Sequence, residues 1–465
     1  MKANLLEWID NNRVLFGSMA KAIWDNPQIG FEETIASQLH RDAAAKAGFR
    51  ISDVDGMPTA FVAECGSGKP VLGLLGEFDA LAQMSQVVSG EPKPVKAGAP
   101  GHGCGHNLLG VASLTAAIAL KEALDKGEIQ GTLRYYACPA EEMLSGKVRM
   151  AEQGVFDDLD ACLAWHPSSV NMPWAGSLLS LCSAEFSFKG LSAHAGAAPH
   201  MGRSALDAVE LMDIGANFMR EHVHESSRIH YIITKGGKQP NTVPDEASVW
   251  YNLRAPGSEG LLDNCRWLTE IARGAAMMTQ TTLLPIDFKS GVYEVLSNQT
   301  LVSLIEQNMR YCGPPVYSEA DHKLAAKITA SMPPAAKQKG MDAGFIPHRL
   351  KDLYLHEDIL SPTDEGKSQS ASTDAGDVSQ IAPFAQFGAC TWPIGVNPHT
   401  WQATASAGSG IGTTGMLFAA KTLACSLYDL FSMPEVLDKA KVEFFEVTGG
   451  ARYVSMMERV KGLDG

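Results

Sequence analysis

Four short apolar or β-branched runs in the first 170 residues limit the possible folds most: TAFVAEC (59–65), PVLGLLGEFDA (70–80), GTLRYYACPAEE (131–142) and LDACLAWHPS (159–168). Turn residues bound each run and helical stretches separate them, which is the alternation of an α/β sheet. Ligands of such sheets sit beyond the carboxyl ends of the strands. The polar residues gather there as well: Asp79 after one run, Glu141 and Glu142 after another, and His166 at the end of a third. Residues 4–48 read as helical and close on Gly48. The apolar run 108–120 reads as a buried helix, too short to cross a bilayer.

From about Ser183 the texture changes. Residues 183–222 read strand, loop, helix, RIHYIITKGG and EASVWYNLRAP read as paired strands, and a second helix follows at 261–278. This describes a compact α+β unit. The remainder returns to α/β style, with a strand in 383–396 and a helix in 415–431. A chain of 465 residues suits two domains. The expectation is a discontinuous catalytic domain over 1–183 and 293–465 with an inserted domain over 184–292, and a mobile or family-specific excursion over 314–370.

The stretch GHGCGHNLLG (101–110) sets His102, Cys104 and His106 at alternate positions between glycines. Glycine packs nothing and costs backbone entropy, so its repetition suggests a turn shaped for a ligand. Transition metals take imidazole, thiolate and carboxylate donors from several loops. Cys104, His106, Glu142, His166 and His399, the last in VNPHTWQ, all fall at expected strand exits. The adjacent Glu141 and Glu142 allow one to ligate and the other to move protons, although acidic pairs also suit a solvated helix start. The formal net charge of −14 argues against nucleic acid or an anionic membrane as partner. The N-terminal stretch lacks a secretory pattern, and nine scattered cysteines suit reduced thiols, so a cytoplasmic location is expected. No serine-hydrolase elbow, phosphate loop or His-Glu-x-x-His occurs.

In order along the chain, GEFDALA, GHGCGHN, CPAEE, AWHP, GLSAHAGAAPH, NLRAP and NPHTW resemble the M20 metallopeptidase and amidohydrolase family, in the branch whose loop reads Cys-Gly-His. The resemblance implies a two-metal catalytic domain with an inserted dimerisation, or lid, domain. It implies two divalent ions, zinc or manganese, with Cys104 bridging and His106, Glu142, His166 and His399 completing the sites. Glu141 then becomes the general base and Asp79 an orienting carboxylate. Glu77 stands where other branches place a histidine ligand and is not expected to ligate. From the inserted domain, His194, Asn241 and Arg254 match positions that approach the active site in the family, some across a dimer interface. Arg254 would clamp a substrate carboxylate, while His194 and Asn241 would donate to an oxyanion. The implied activity is hydrolysis of the amide of an N-acyl amino acid, of the p-aminobenzoyl-glutamate type. The alternatives are another N-acyl amino acid, an auxin-type conjugate or a dipeptide, or a non-catalytic partner subunit. A homodimer, or a heterodimer with a paralogous subunit, is the expected assembly.

Overall fold

The computed structural model describes residues 1–463. Met1–Ser177, Leu296–Gln369 and Val378–Arg452 form one compact unit; Leu178–Val295, Ser370–Asp377 and the chain from Tyr453 form a second.

The first unit is built on a seven-stranded sheet in the spatial order Arg50–Val54, Met57–Ser67, Gly131–Cys138, Val71–Glu77, Ala161–Ser168, Phe384–Cys390, Met172–Trp174. The four strands from Gly131–Cys138 to Phe384–Cys390 run parallel, and the flanking strands pair antiparallel. The parallel strands therefore end along one edge. Val71–Glu77 lies between Gly131–Cys138 and Ala161–Ser168, so successive connections leave it in opposite directions. That reversal opens a crevice at the strand ends.

Two apolar helices, His106–Asp125 and Gly410–Ser432, pack together behind this sheet. His106–Asp125 is long and apolar enough to cross a membrane, but it is the buried helix of the unit's core. A Cβ on its Gly110 would lie 2.5 Å from the Glu77 carbonyl oxygen, so the bare glycine backbone lets helix and strand close up. Trp165 Nε1 donates to the Leu109 carbonyl (3.0 Å), tying the Ala161–Ser168 strand to the same helix. Strand alternation then turns His166 to the opposite face.

Several local expectations change. The first 48 residues form three helices, Lys2–Asn11, Arg13–Asp25 and Thr34–Lys46; a turn at Asn12 separates the first two, and Pro27 and Gly30 break the run between the last two. No helix separates Met57–Ser67 from Val71–Glu77; these two strands are joined by a short turn. The 314–370 excursion, expected to be mobile or family-specific, has regular structure. It carries helices Glu319–Ala330 and Pro334–Ala343, and Ile328, Met341, Ile346 and Leu350 are buried in small apolar clusters with Ile394 and Val396.

In the second unit, Ser180–Lys189 pairs antiparallel with Glu246–Ala255 on one side and with Thr282–Leu283 and Asp287–Val292 on the other. Arg228–Lys235 adds an edge strand beyond Glu246–Ala255. Helices Ala205–Met219 and Ser258–Thr279 fill its core. This unit is larger than the expected 184–292. Its first long strand starts at Ser180, Leu179 N–H donates to the Ala371 carbonyl (2.8 Å), and Met456 and Val460 of the C-terminal helix lie in its core.

Candidate metal centre and active site

Cys104, His106 and His166 offer donor atoms that all lie within 4.8 Å of one another, and so do Cys104, Glu142 and His399. Cys104 belongs to both groups. The thiol sits on the glycine loop; Gly105, at φ 76°, makes the turn that lets His106 begin the core helix. His166 Nδ1 hydrogen-bonds the Pro167 carbonyl (2.7 Å), which leaves Nε2 facing Cys104 Sγ at 3.5 Å. His399 stands in the left-handed region at φ 61°, and its N–H donates to the Gly103 carbonyl (2.9 Å). Its Nε2 lies 3.2 Å from Glu142 Oε2. His102, although part of the alternating pattern, bonds the Ile23 carbonyl (3.2 Å), and burial pushes it down to about 3.

Asp79 organises this cluster from beneath. Its Oδ1 lies 2.9 Å from His106 Nδ1 and its Oδ2 accepts the Glu142 N–H at 2.9 Å. A carboxylate behind a histidine fixes the tautomer that presents Nε2 to a metal. Glu141 Oε2 lies 3.9 Å from His106 Nε2, and Glu77, His106 and Glu141 form a third group whose donor atoms lie within 4.8 Å of one another, although Glu77 was not expected among the ligands.

The electrostatics fit a cation. Burial drives the Cys104 thiol well above its ordinary range, and the Glu142 charge adds to this. Burial opposes charge on His106, yet Cys104 and Asp79 outweigh it and hold His106 well above the ordinary histidine range. Burial, with His106 beside it, pushes His166 down to about 4, keeping it neutral and able to ligate. Against burial, the His399 hydrogen bond and the charge of His106 hold the Glu142 carboxyl low. Among the described residues, His106 Nε2 and Glu142 Oε1 are buried without a hydrogen-bond partner. Divalent metal would satisfy both atoms and stabilise the thiolate, so the residues present fit the group.

Two participants have no signal in the sequence. Lys147 is fully buried with its Nζ 2.7 Å from Glu77 Oε1. Against burial, Lys147 and then His106 hold the Glu77 carboxyl low. Glu77 Oε2 is 3.4 Å from His106 Nε2, so this acid stands among the donors of the third group while tied to a lysine. Glu33 is buried under the Glu141–Glu142 turn and accepts the Ala140 N–H at 2.8 Å.

The remaining candidates lie in the second unit. His194 and Asn241 are exposed and adjacent: His194 bridges Thr242, and Ala195 N–H donates to the Asn241 carbonyl at 3.0 Å. His194 Nδ1 accepts the Gly196 and Ala197 N–H groups, which leaves Nε2 as the outward nitrogen. Arg254, half-buried on Glu246–Ala255, has no ion pair among the described residues; its Nε is buried without a partner and burial lowers its affinity for the proton.

The peptidase dimerisation domain matches residues 177–274. The chain is 38% identical to a subunit of the p-aminobenzoyl-glutamate hydrolase of Escherichia coli (strain K12), over 96% of this chain and 95% of that one. It is 28% identical to the Xaa-Arg dipeptidase of Mus musculus, over 96% and 92%. Its fold is similar to a dinuclear metal-binding peptidase of the M20 family from Bacillus subtilis, with a TM-score of 0.57 at 16% identity, over 89% and 98% of the two chains. Likeness along nearly the whole length, with metal-capable donors gathered at the strand ends, leads to one conclusion: the chain belongs to the M20 family of metal-dependent peptidases and amidohydrolases.

Proposed function

We propose that this chain hydrolyses the amide bond of p-aminobenzoyl-glutamate or a close N-aroyl amino acid, with two divalent ions, zinc or manganese, held by Cys104, His106, Glu142, His166 and His399. The observation that carries this reading is that two of the three donor groups share Cys104, while the third sets Glu141 beside His106. Bound divalent cations would supply Lewis acidity toward the scissile carbonyl and the attacking water. Glu141 accepts the water's proton and delivers it to the departing amine nitrogen. Asp79 holds His106 and the Glu142 backbone, so the ligands do not reorganise during the reaction. His194 and Asn241 donate to the developing oxyanion, and Arg254 takes the substrate carboxylate. The first unit serves as the catalytic domain and the second, built around 184–292, as the dimerisation domain, in a homodimer or beside a paralogous subunit.

Likeness to the Xaa-Arg dipeptidase over nearly the same length supports a second reading, cleavage of a dipeptide. One experiment separates the two. Purified protein is loaded with zinc or manganese and offered p-aminobenzoyl-glutamate and a panel of dipeptides and N-acyl amino acids, with Glu141→Gln as control. Release of p-aminobenzoate that falls at least about 1,000-fold in Glu141→Gln, with metal content unchanged, is the expected outcome. Preference for a dipeptide would replace the first substrate by the second; full activity of Glu141→Gln would remove Glu141 as the base.

A further inference from the structure

Glu33 lies outside the donor groups, and the chemistry above does not use it. Its side chain is fully buried (0% exposed), and the bond it accepts comes from Ala140, the residue before Glu141. Ala140 stands in the left-handed region at φ 54°. A non-glycine residue there costs about 1–3 kcal/mol and persists only where its surroundings hold it.

Two features hold it. A Cβ on Gly30 would lie 2.9 Å from the Ala140 Cβ and 2.8 Å from Met143 Sδ, so the Gly30 backbone presses directly on this turn. Glu33 Oε1 gives the Ala140 N–H the acceptor that a buried donor requires. At the other end of the turn, Asp79 Oδ2 accepts the Glu142 N–H. The backbone is thus fastened by one carboxylate before Glu141 and by another at Glu142.

We propose that Glu33 is a positioning residue for this reaction: its hydrogen bond to the Ala140 N–H fixes the left-handed turn that sends the Glu141 and Glu142 side chains to separate tasks. The proposal rests on the assignment of Glu141 as base and Glu142 as ligand. Burial, reinforced by the charge of Asp79, pushes the Glu33 carboxyl up to about 7. A neutral glutamine is therefore a close replacement, with a carbonyl in the acceptor's place.

The test compares Glu33→Ala, Glu33→Gln, and Glu33→Ala combined with Ala140→Gly, the last measured against Ala140→Gly alone. Hydrolysis of p-aminobenzoyl-glutamate by the full-length, metal-loaded protein gives kcat and KM. Titration of the metal-free protein with zinc against a coloured chelator gives the metal affinity. Glu33→Ala should lower kcat about 10- to 100-fold with KM within about twofold, and weaken zinc binding about tenfold. Glu33→Gln should recover most of both losses. Ala140→Gly should recover much of the loss in the Glu33→Ala background, because glycine adopts positive φ without cost. A carboxylate that only supported the fold would lower Tm and show no rescue by glycine, and that result would overturn the proposal. So would unchanged kcat and zinc affinity in Glu33→Ala. If Glu33→Ala is not recovered folded, Glu33→Leu makes the same comparison without an acceptor. If the wild type does not cleave this substrate, the zinc titration still decides, so failure of the substrate reading is distinguishable from failure of this one.

Discussion

Lys147 Nζ and Glu77 Oε1 meet at 2.7 Å with both side chains withdrawn from solvent. Removing one partner of such a pair leaves a buried charge unpaired, at a cost of about 3–5 kcal/mol. Lys147→Met should lose about that much stability in urea unfolding of the metal-free protein, and Lys147→Met with Glu77→Gln should regain more than half; a stable single variant would refute the pairing. Glu33 makes a pH-dependent prediction. Its folded-state value of about 7 lies above the ordinary glutamate value, so its contribution is full below about 4.5 and is lost as pH rises through 7. Glu33→Gln should therefore gain stability relative to the metal-free wild type between pH 4.5 and 8, by up to about 3 kcal/mol; a constant difference across that range would count against it. Glu142 and His166 could be picked out in the sequence because they stand at or just beyond the ends of apolar strand runs, and Cys104 and His106 because they alternate with glycines ahead of an apolar helix. Lys147 and Glu33 could not, because a buried charge leaves no periodic mark. Lys147 falls on the short helix Gly146–Glu152 and Glu33 just before the helix Thr34–Lys46, and only the tertiary packing turns them inward.

At the scale of elements, the core helix and the strand beside it set the distance between His106 and the strand-end carboxylates. Gly110 makes that approach possible, since a Cβ there would meet the Glu77 carbonyl oxygen at 2.5 Å and His40 Nε2 at 2.9 Å. Alanine would gain about 1 kcal/mol of helix propensity over glycine. Overpacking against a backbone carbonyl costs about 1–3 kcal/mol or more, so the clash should win. Gly110→Ala is expected to lower Tm and weaken zinc binding together, as the helix carrying His106 is pushed from the strand; a raised Tm would show that the helix yields freely. The parallel strands were legible because they are continuous apolar runs between turns. The position of His399 was less so: it lies well beyond the end of Phe384–Cys390, and a left-handed residue tied to the Gly103 carbonyl brings it back. The 314–370 excursion misled for a related reason. Its lysines, prolines and serines look like a mobile loop, whereas a few spaced apolar residues, Ile328, Met341 and Ile346 among them, suffice to bury it.

The whole molecule is a chain that leaves one unit, builds another and returns, and the return was the least legible part. Ser370–Asp377 and the C-terminal helix join the second unit through contacts such as Tyr453 Oη to Asp377 Oδ1 (2.7 Å), which span too much sequence to show as a local pattern. That second unit also carries the feature that ties it to substrate in our reading. Arg254 lies directly across the strand pair from Arg228. Like charges so placed oppose pairing, and among the described residues Arg254 has neither an acidic partner nor a hydrogen bond at its buried Nε. A structural arginine would be expected to hold a carboxylate; this one has the arrangement of a receptor whose anion comes from outside the chain. Loss of a charge-assisted hydrogen bond is worth about 1.5–3 kcal/mol, or roughly 10- to 150-fold in affinity. Arg254→Met should therefore raise KM for p-aminobenzoyl-glutamate by about that factor, with kcat within about threefold, metal content unchanged and stability equal to or above that of the wild type. A fall in Tm with unchanged KM would make Arg254 a structural residue and move carboxylate recognition elsewhere.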